Sequence, residues 1–137
     1  MANTIITQAH ICRQFPMAKC SDESYTCPTE AWVESVFRAY KTLMKWLKVL
    51  SWRKHHDCDD KAGGFRWLCG VKWGQPKSQK TQGVAVGEVW YRTDQGGGHA
   101  INVVFLDSTT VRFIEPQGPK WVALSTAERD SVYFARF

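Results

Sequence analysis

The apolar residues of this chain change their spacing once, and that change constrains the fold more than any single motif. From Trp32 through Val33, Val36, Phe37, Tyr40, Leu43, Met44 and Leu47 to Leu50 they recur every three or four positions, the spacing of one buried helical face. Glu34, Arg38, Lys41, Lys45 and Lys48 take the opposite face. Cys27-Pro28 and Glu30 suit the first turn of that helix, which is expected over 29–50. Beyond residue 83 the spacing becomes that of strands. Val84–Arg92, Ala100–Leu106, Val111–Ile114 and Val132–Phe137 are rich in β-branched and aromatic residues and are separated by turn residues. Helices first and an antiparallel sheet after them define an α+β chain.

Between the two regimes, Asp57-Cys58-Asp59-Asp60 offers a capped, acidic helix start, and a second helix is expected from there to about Cys69. Gly63 and Gly64 inside it cost roughly 1 kcal/mol each relative to alanine, which implies close packing against another backbone. Residues 70–82 read as a loop, and Ser125-Thr-Ala-Glu128 as a capping box for a short helical turn. Residues 1–25 are weakly patterned and are expected to be a loosely ordered lead-in lying outside a domain that spans 26–137.

Length and charge narrow the function classes. A chain of 137 residues with 44% hydrophobic content fits one domain with its own core. No apolar run reaches the roughly 18 residues of a membrane span, and the N-terminus lacks the basic and apolar regions of a signal peptide. Five cysteines are an odd number, which favours free thiols and a reducing, cytoplasmic setting over a disulfide framework.

One of those thiols stands apart. Cys58 begins the second helix, where unpaired N–H groups and the helix dipole favour a thiolate. A thiol nucleophile needs a base and the base an orienting group. His99 follows Gly96-Gly97-Gly98 at the start of one strand, and Glu115 ends the next, before Pro116. If these strands pair through the Asp107–Thr110 turn, His99 and Glu115 become neighbours. Gln117 is then placed to donate to an oxyanion together with the Cys58 backbone, and Gly97 and Gly98 to let a substrate approach. The three aspartates around Cys58 oppose a thiolate unless they face away, pair with Arg53 or Lys54, or hold a metal.

These three motifs, Asp57-Cys58-Asp59-Asp60, Gly97-Gly98-His99-Ala100-Ile101-Asn102 and Glu115-Pro116-Gln117, together resemble the papain-like cysteine protease domain of the Marasmius fungal agglutinin family and its small stand-alone phage and bacterial relatives. The gap from Cys58 to His99 is 99 − 58 = 41 residues, close to the spacing in that family. The resemblance runs from Thr26 to Phe137. It implies a papain-like fold and a cysteine peptidase working through an acyl-enzyme, with Cys58 as nucleophile, His99 as base and acid, Glu115 as orienting carboxylate and Gln117 as oxyanion contributor. A peptide or protein would be the substrate, with deamidation and transglutamination as related outcomes. The resemblance also brings calcium into view, with Asp59 and Asp60 as candidate ligands, although no cofactor is required by the sequence itself. The family's β-trefoil lectin domain has no counterpart here, so sugar binding is not implied.

A second reading uses the fold for binding alone. Eleven of the 18 Lys and Arg lie between Arg38 and Lys80, with only three acidic residues among them. Trp46, Trp52, Trp67 and Trp73 are interleaved. Such a face suits an acidic protein or, as the weaker reading, nucleic acid; a solvated helix face over core tryptophans is the plainer one. His55-His56-Asp57-Cys58 lacks the spaced ligand pairs of a zinc site, and no metal site is expected there.

Overall fold

The computed structural model describes residues 3–51, 54, 56–75 and 82–137. Its centre is a five-stranded antiparallel sheet formed by the C-terminal half of the chain. In chain order the elements are β1 (Ile5–Thr7), α1 (Gln8–Gln14), β2 (Ser24–Thr26), α2 (Glu30–Trp46), α3 (Cys58–Trp73), β3 (Gly83–Val84), β4 (Val86–Arg92), β5 (Gly98–Phe105), β6 (Val111–Glu115), β7 (Lys120–Val122), α4 (Thr126–Asp130) and β8 (Phe134–Arg136). The central sheet has the order β7-β6-β5-β4-β8, and β1, β2 and β3 form a small second sheet.

Alternation along the strands places different residues on the two faces of the central sheet. Val86, Val104 and Ile114 meet Val33, Val36 and Tyr40 of α2 and Phe65 and Cys69 of α3. Val89, Ile101, Val103 and Phe113 pack on the other face with Ile6, Ile11 and Phe15. The α+β class is therefore as expected, but the N-terminal segment is no loose lead-in. Thr7 caps α1 by accepting from the His10 N–H at 3.2 Å, Ile11 is fully buried, and β1 pairs with β2 in antiparallel register. The elements involved are too short to show a period, which is why the sequence concealed them.

Two helix ends also differ from expectation. α2 stops at Trp46 because Lys48 adopts a left-handed φ of 60°. The Val49 N–H then reaches back to the Met44 carbonyl at 2.9 Å and that of Lys48 to Lys45 at 3.0 Å, a Schellman closure of the helix. α3 continues four residues past Cys69, through the start of the expected loop, because Trp73 has a place to go. Its ring is buried, packs edge-on against Trp32 and donates to the Gln82 carbonyl at 3.1 Å. The rest of that expected loop, at 76–81, lies outside the described residues.

Gly63 and Gly64 of α3 face side chains rather than backbone. A Cβ at Gly63 would sit 3.2 Å from the Arg136 guanidinium and 3.4 Å from Glu88, and one at Gly64 would sit 3.4 Å from the Tyr40 hydroxyl. Among the described residues, no helix is long and apolar enough to cross a membrane.

Candidate functional site

Three elements converge on one end of the central sheet, and each is fixed by polar contacts. Cys58 is the first residue of α3, whose start is closed by Asp60 accepting from the Asp57 N–H at 3.2 Å. The segment before it is pinned from beneath by Lys61, which is fully buried. The Lys61 ammonium donates to the carbonyls of His56 at 2.9 Å and Ser51 at 3.3 Å. Four positions along the chain separate Cys58 from Ala62, whose carbonyl accepts from the buried Asn102 amide at 2.8 Å. Asn102 also donates to the Gly87 carbonyl at 3.1 Å, so one side chain fixes α3 to both β4 and β5.

His99 stands second in β5, opposite Tyr91 of β4, and the two rings meet edge to face at 5.9 Å. The β5–β6 register pairs Asn102 with Ile114. Continued by one step, it sets Glu115 beside Ile101, with His99 as its diagonal neighbour on the same face. The expected pairing is present: His99 Nε2 and Glu115 Oε2 are 2.6 Å apart. The other carboxylate oxygen accepts from the Gln117 backbone N–H at 3.0 Å, so Glu115 is held at both oxygens. With Nε2 committed to Glu115, Nδ1 is the ring nitrogen left for other work.

Cys58 and His99 line the same cleft of about 230 Å³, together with Asp59, Gly98, Ala100, Trp90 and Tyr133. Tyr133 is half exposed at the rim. The indole Nε1 of Trp90 is buried without a hydrogen-bond partner among the described residues. Burial and the negative charges of Glu128 and Glu115 nearby push the Tyr91 phenol up to about 12.

The remaining candidates are placed differently. Gln117 enters through its backbone, as the donor that orients Glu115, and its side chain is not part of the cleft wall. Gly97 also stays out of the wall. It belongs to the turn before β5, where its N–H donates to Thr93 Oγ1 at 3.2 Å and its carbonyl accepts from the Thr93 N–H at 2.8 Å. Gly96 supplies the positive φ of 95° that this turn needs. Only Gly98 opens onto the cleft, 3.4 Å (as a built Cβ) from the Tyr133 hydroxyl.

The aspartates do not act as three separate charges. The closeness of Asp57 and Asp59 lowers the first carboxyl and raises the second. Of the two cations suggested for them, Arg53 lies outside the described residues, and Lys54 forms no ion pair with them among the described residues. Ligand atoms of Asp57, Cys58 and Asp59 do lie within 4.8 Å of one another. Two carboxylates and a sulfur do not supply the six to eight oxygens that calcium takes, and Asp60 is occupied by the Asp57 N–H. The residues present thus do not fit calcium. His56 faces Lys61, with Nδ1 3.1 Å from the ammonium, and His55 is outside the described residues.

Sequence reasoning missed Lys61, Trp90 and Tyr133. A lysine one turn into an acidic helix start reads as surface, and nothing local marks the two aromatics as cleft walls. Arg38, Lys41 and Lys45 form an exposed basic face on α2, and Lys48, read as part of it, is exposed in the left-handed turn beyond the helix. The tryptophans interleaved with these charges are not all core: Trp46 and Trp67 are exposed and Trp73 is buried, while Trp52 lies outside the described residues.

The fold and site define an α+β domain with a thiol, an imidazole and a carboxylate gathered at one end of an antiparallel sheet. No protein-family model and no curated protein sequence matches the chain. Solved structures do, among them two at a TM-score of 0.73 and 24% identity over 97% of this chain. One is titled "PSL1a-E64 complex", of which 51% is covered. The other is a Polyporus squamosus lectin bound to the human-type influenza-binding epitope Neu5Aca2-6Galb1-4GlcNAc, of which 49% is covered. The chain thus spans about half the length of these structures, and at this identity the likeness is one of fold.

These matches correct the expectation drawn from the three motifs. The solved structure named for its class is a lectin, not a papain-like protease. The assignment to that protease family, the peptidase function, the enzyme class and the hydrolase and thiol-protease description are therefore withdrawn, and a peptide substrate has no support. What the motifs did locate is the geometry: Cys58 and His99 share a cleft, and Glu115 holds His99.

Proposed function

We propose that this chain is a ligand-binding domain of a lectin-type protein, and that its ligand is seated in the cleft between the start of α3 and β5. The observation that carries this reading is the preorganisation of that cleft. Its polar groups, the Cys58 thiol and the His99 imidazole, are held by buried contacts through Asn102 and by the 2.6 Å bond to Glu115. Rigid polar groups beside aromatic walls are what a small-ligand site requires, because little ordering remains to oppose binding. Tyr133 offers a ring face at the rim, and Trp90 an unpaired N–H that a ligand oxygen would satisfy. The fold likeness to a lectin supports binding as the role of the domain.

The test is a pair of titrations followed by NMR, one with the E64 compound and one with the trisaccharide epitope named above. One of them is expected to shift the Trp90, His99 and Tyr133 resonances saturably, with His99→Ala weakening the effect by about tenfold, or 1.4 kcal/mol. The reading fails if neither ligand moves these resonances. It also fails if the protein cleaves a peptide amide at a rate that Cys58→Ala abolishes.

A further inference from the structure

The central sheet ends differently at its two edges. At β8 the Lys19 N–H donates to the Ala135 carbonyl and the Phe137 N–H to the Lys19 carbonyl, both at 2.8 Å, so that edge is closed. At β7 the pairing stops, with β6 its only strand partner among the described residues. The register determines which groups are left over. The Leu106 N–H reaches the Thr110 carbonyl at 2.9 Å, and antiparallel ladders alternate bonded with non-bonded pairs. Val104 with Arg112, and Asn102 with Ile114, are therefore bonded pairs, and Ile114 turns both its groups toward β5. Phe113 and Glu115 then bond Val122 and Lys120. Trp121, opposite Ile114, is left with its N–H and carbonyl facing outward.

A short edge strand carrying a lysine is ordinarily no more than protection against self-pairing. What sets β7 apart is a cleft on each face. The one toward α2, of about 420 Å³, is lined by Arg38, Lys41 and Lys120. Its one acid, Glu34, already accepts from the Trp121 indole at 3.1 Å. The one on the opposite face, of about 410 Å³, is lined by the apolar Phe113, Val122 and Leu124, together with Arg129. None of Arg38, Lys41, Lys120 and Arg129 is in an ion pair among the described residues.

We propose that β7 takes an acidic segment of a partner protein as a further strand of the sheet. The segment's backbone pairs with the outward N–H and carbonyl of Trp121. Successive side chains of a strand leave on opposite faces. The segment thus carries acidic residues at alternate positions, aimed at Arg38, Lys41 and Lys120, and apolar ones between them over Phe113, Val122 and Leu124. A second copy of this chain does not fit, since its own β7 brings like charges to the same place. The thiol cleft and its ligand take no part in this assignment.

The probe is a short, dye-labelled peptide alternating Glu and Val, titrated against the full chain by fluorescence anisotropy, with hydrogen exchange of the Trp121 amide as the second readout. Saturable binding is expected, and bound peptide should slow that exchange by about tenfold or more. A peptide alternating Lys and Val should bind about tenfold more weakly, and Lys41→Glu and Lys120→Glu should each weaken the Glu peptide by about tenfold. Both side chains are exposed, so the fold should survive either change. Methylating the peptide's amide nitrogens at the Glu positions or at the Val positions should give unequal losses, because only one set faces β7. Absence of saturable binding, an unprotected Trp121 amide, equal affinity of the Glu and Lys peptides, or equal affinity of the two methylated peptides overturns the proposal. So does tighter binding of a single-stranded oligonucleotide, or a chain that dimerises with its Trp121 amide already protected.

Discussion

The amide of Asn102, fully buried on β5, donates to the carbonyl of Ala62 inside α3 at 2.8 Å. This bond sets the distance between the two halves of the thiol cleft, since Cys58 lies one turn before Ala62 and His99 three residues before Asn102. Replacing Asn102 by alanine leaves the Ala62 and Gly87 carbonyls without that donor in a dry interior, at a cost of about 1–3 kcal/mol. Asn102→Ala should therefore lower the urea midpoint with an unchanged slope. It should also broaden the Cys58 and His99 resonances more than those of distant strands such as β7. Equal effects everywhere would show that Asn102 acts on stability alone.

Asp107 controls the hairpin that brings His99 to Glu115. Its Oδ1 accepts from the Thr109 and Thr110 N–H groups at 2.7 Å each, and its Oδ2 from the Thr110 hydroxyl at 2.9 Å. These bonds, led by the one from the Thr109 backbone, push its carboxyl down to about 2. A folded-state value below the unfolded one means stability that is present above the unfolded carboxylate range and lost as the pH falls toward 2. Asp107→Asn should be less stable than the unmodified chain at pH 7, and its stability should fall less between pH 4 and pH 2. Parallel pH profiles for the two proteins, followed by circular dichroism, would remove Asp107 from this role.

The glycines of α3 give a paired test of what each is for. At Gly70 an added methyl meets no described residue within 4 Å, so Gly70→Ala should stabilise the helix by about 1 kcal/mol. At Gly63 the same methyl meets the Arg136 guanidinium at 3.2 Å, beside the buried Glu88 that Arg136 neutralises. Gly63→Ala must displace that pair or strain it, and should be destabilising despite the better helix propensity. Thermal melts that move the same way for both variants would contradict the assignment.

How much of this could be read from residues alone follows the range of the signals. The apolar stripe of α2 and the Ser125–Glu128 capping box are local, and both were legible. So was the approach of His99 to Glu115, because one short turn joins their strands and fixes the register. α1 escaped notice because a seven-residue helix anchored by Ile11 has no period to display. Lys48 concealed the end of α2, since its left-handed conformation is one that glycine ordinarily takes. Lys61, Trp90 and Tyr133 became site residues only through contacts across the fold. The role of the site was not legible from the three motifs, because short motifs locate groups in space but do not say what is done with them.

The five thiols separate by environment, which alkylation can read. Cys69 is fully buried, and burial pushes its thiol far above the ordinary range, while Cys27 is raised to about 11 by burial and the charge of Asp107. Both are starved of the thiolate that reacts. Cys58 is only half-buried and opens onto the cleft. With iodoacetamide at pH 7.5, peptide mass mapping should show Cys58 modified while Cys27 and Cys69 stay free until urea unfolds the chain. Occupying the cleft should slow Cys58 and leave the exposed face of the protein unaffected. Modification of Cys69 at the rate of Cys58 would mean that α3 opens from the sheet in the native state, and the preorganisation that the binding proposal depends on would be lost.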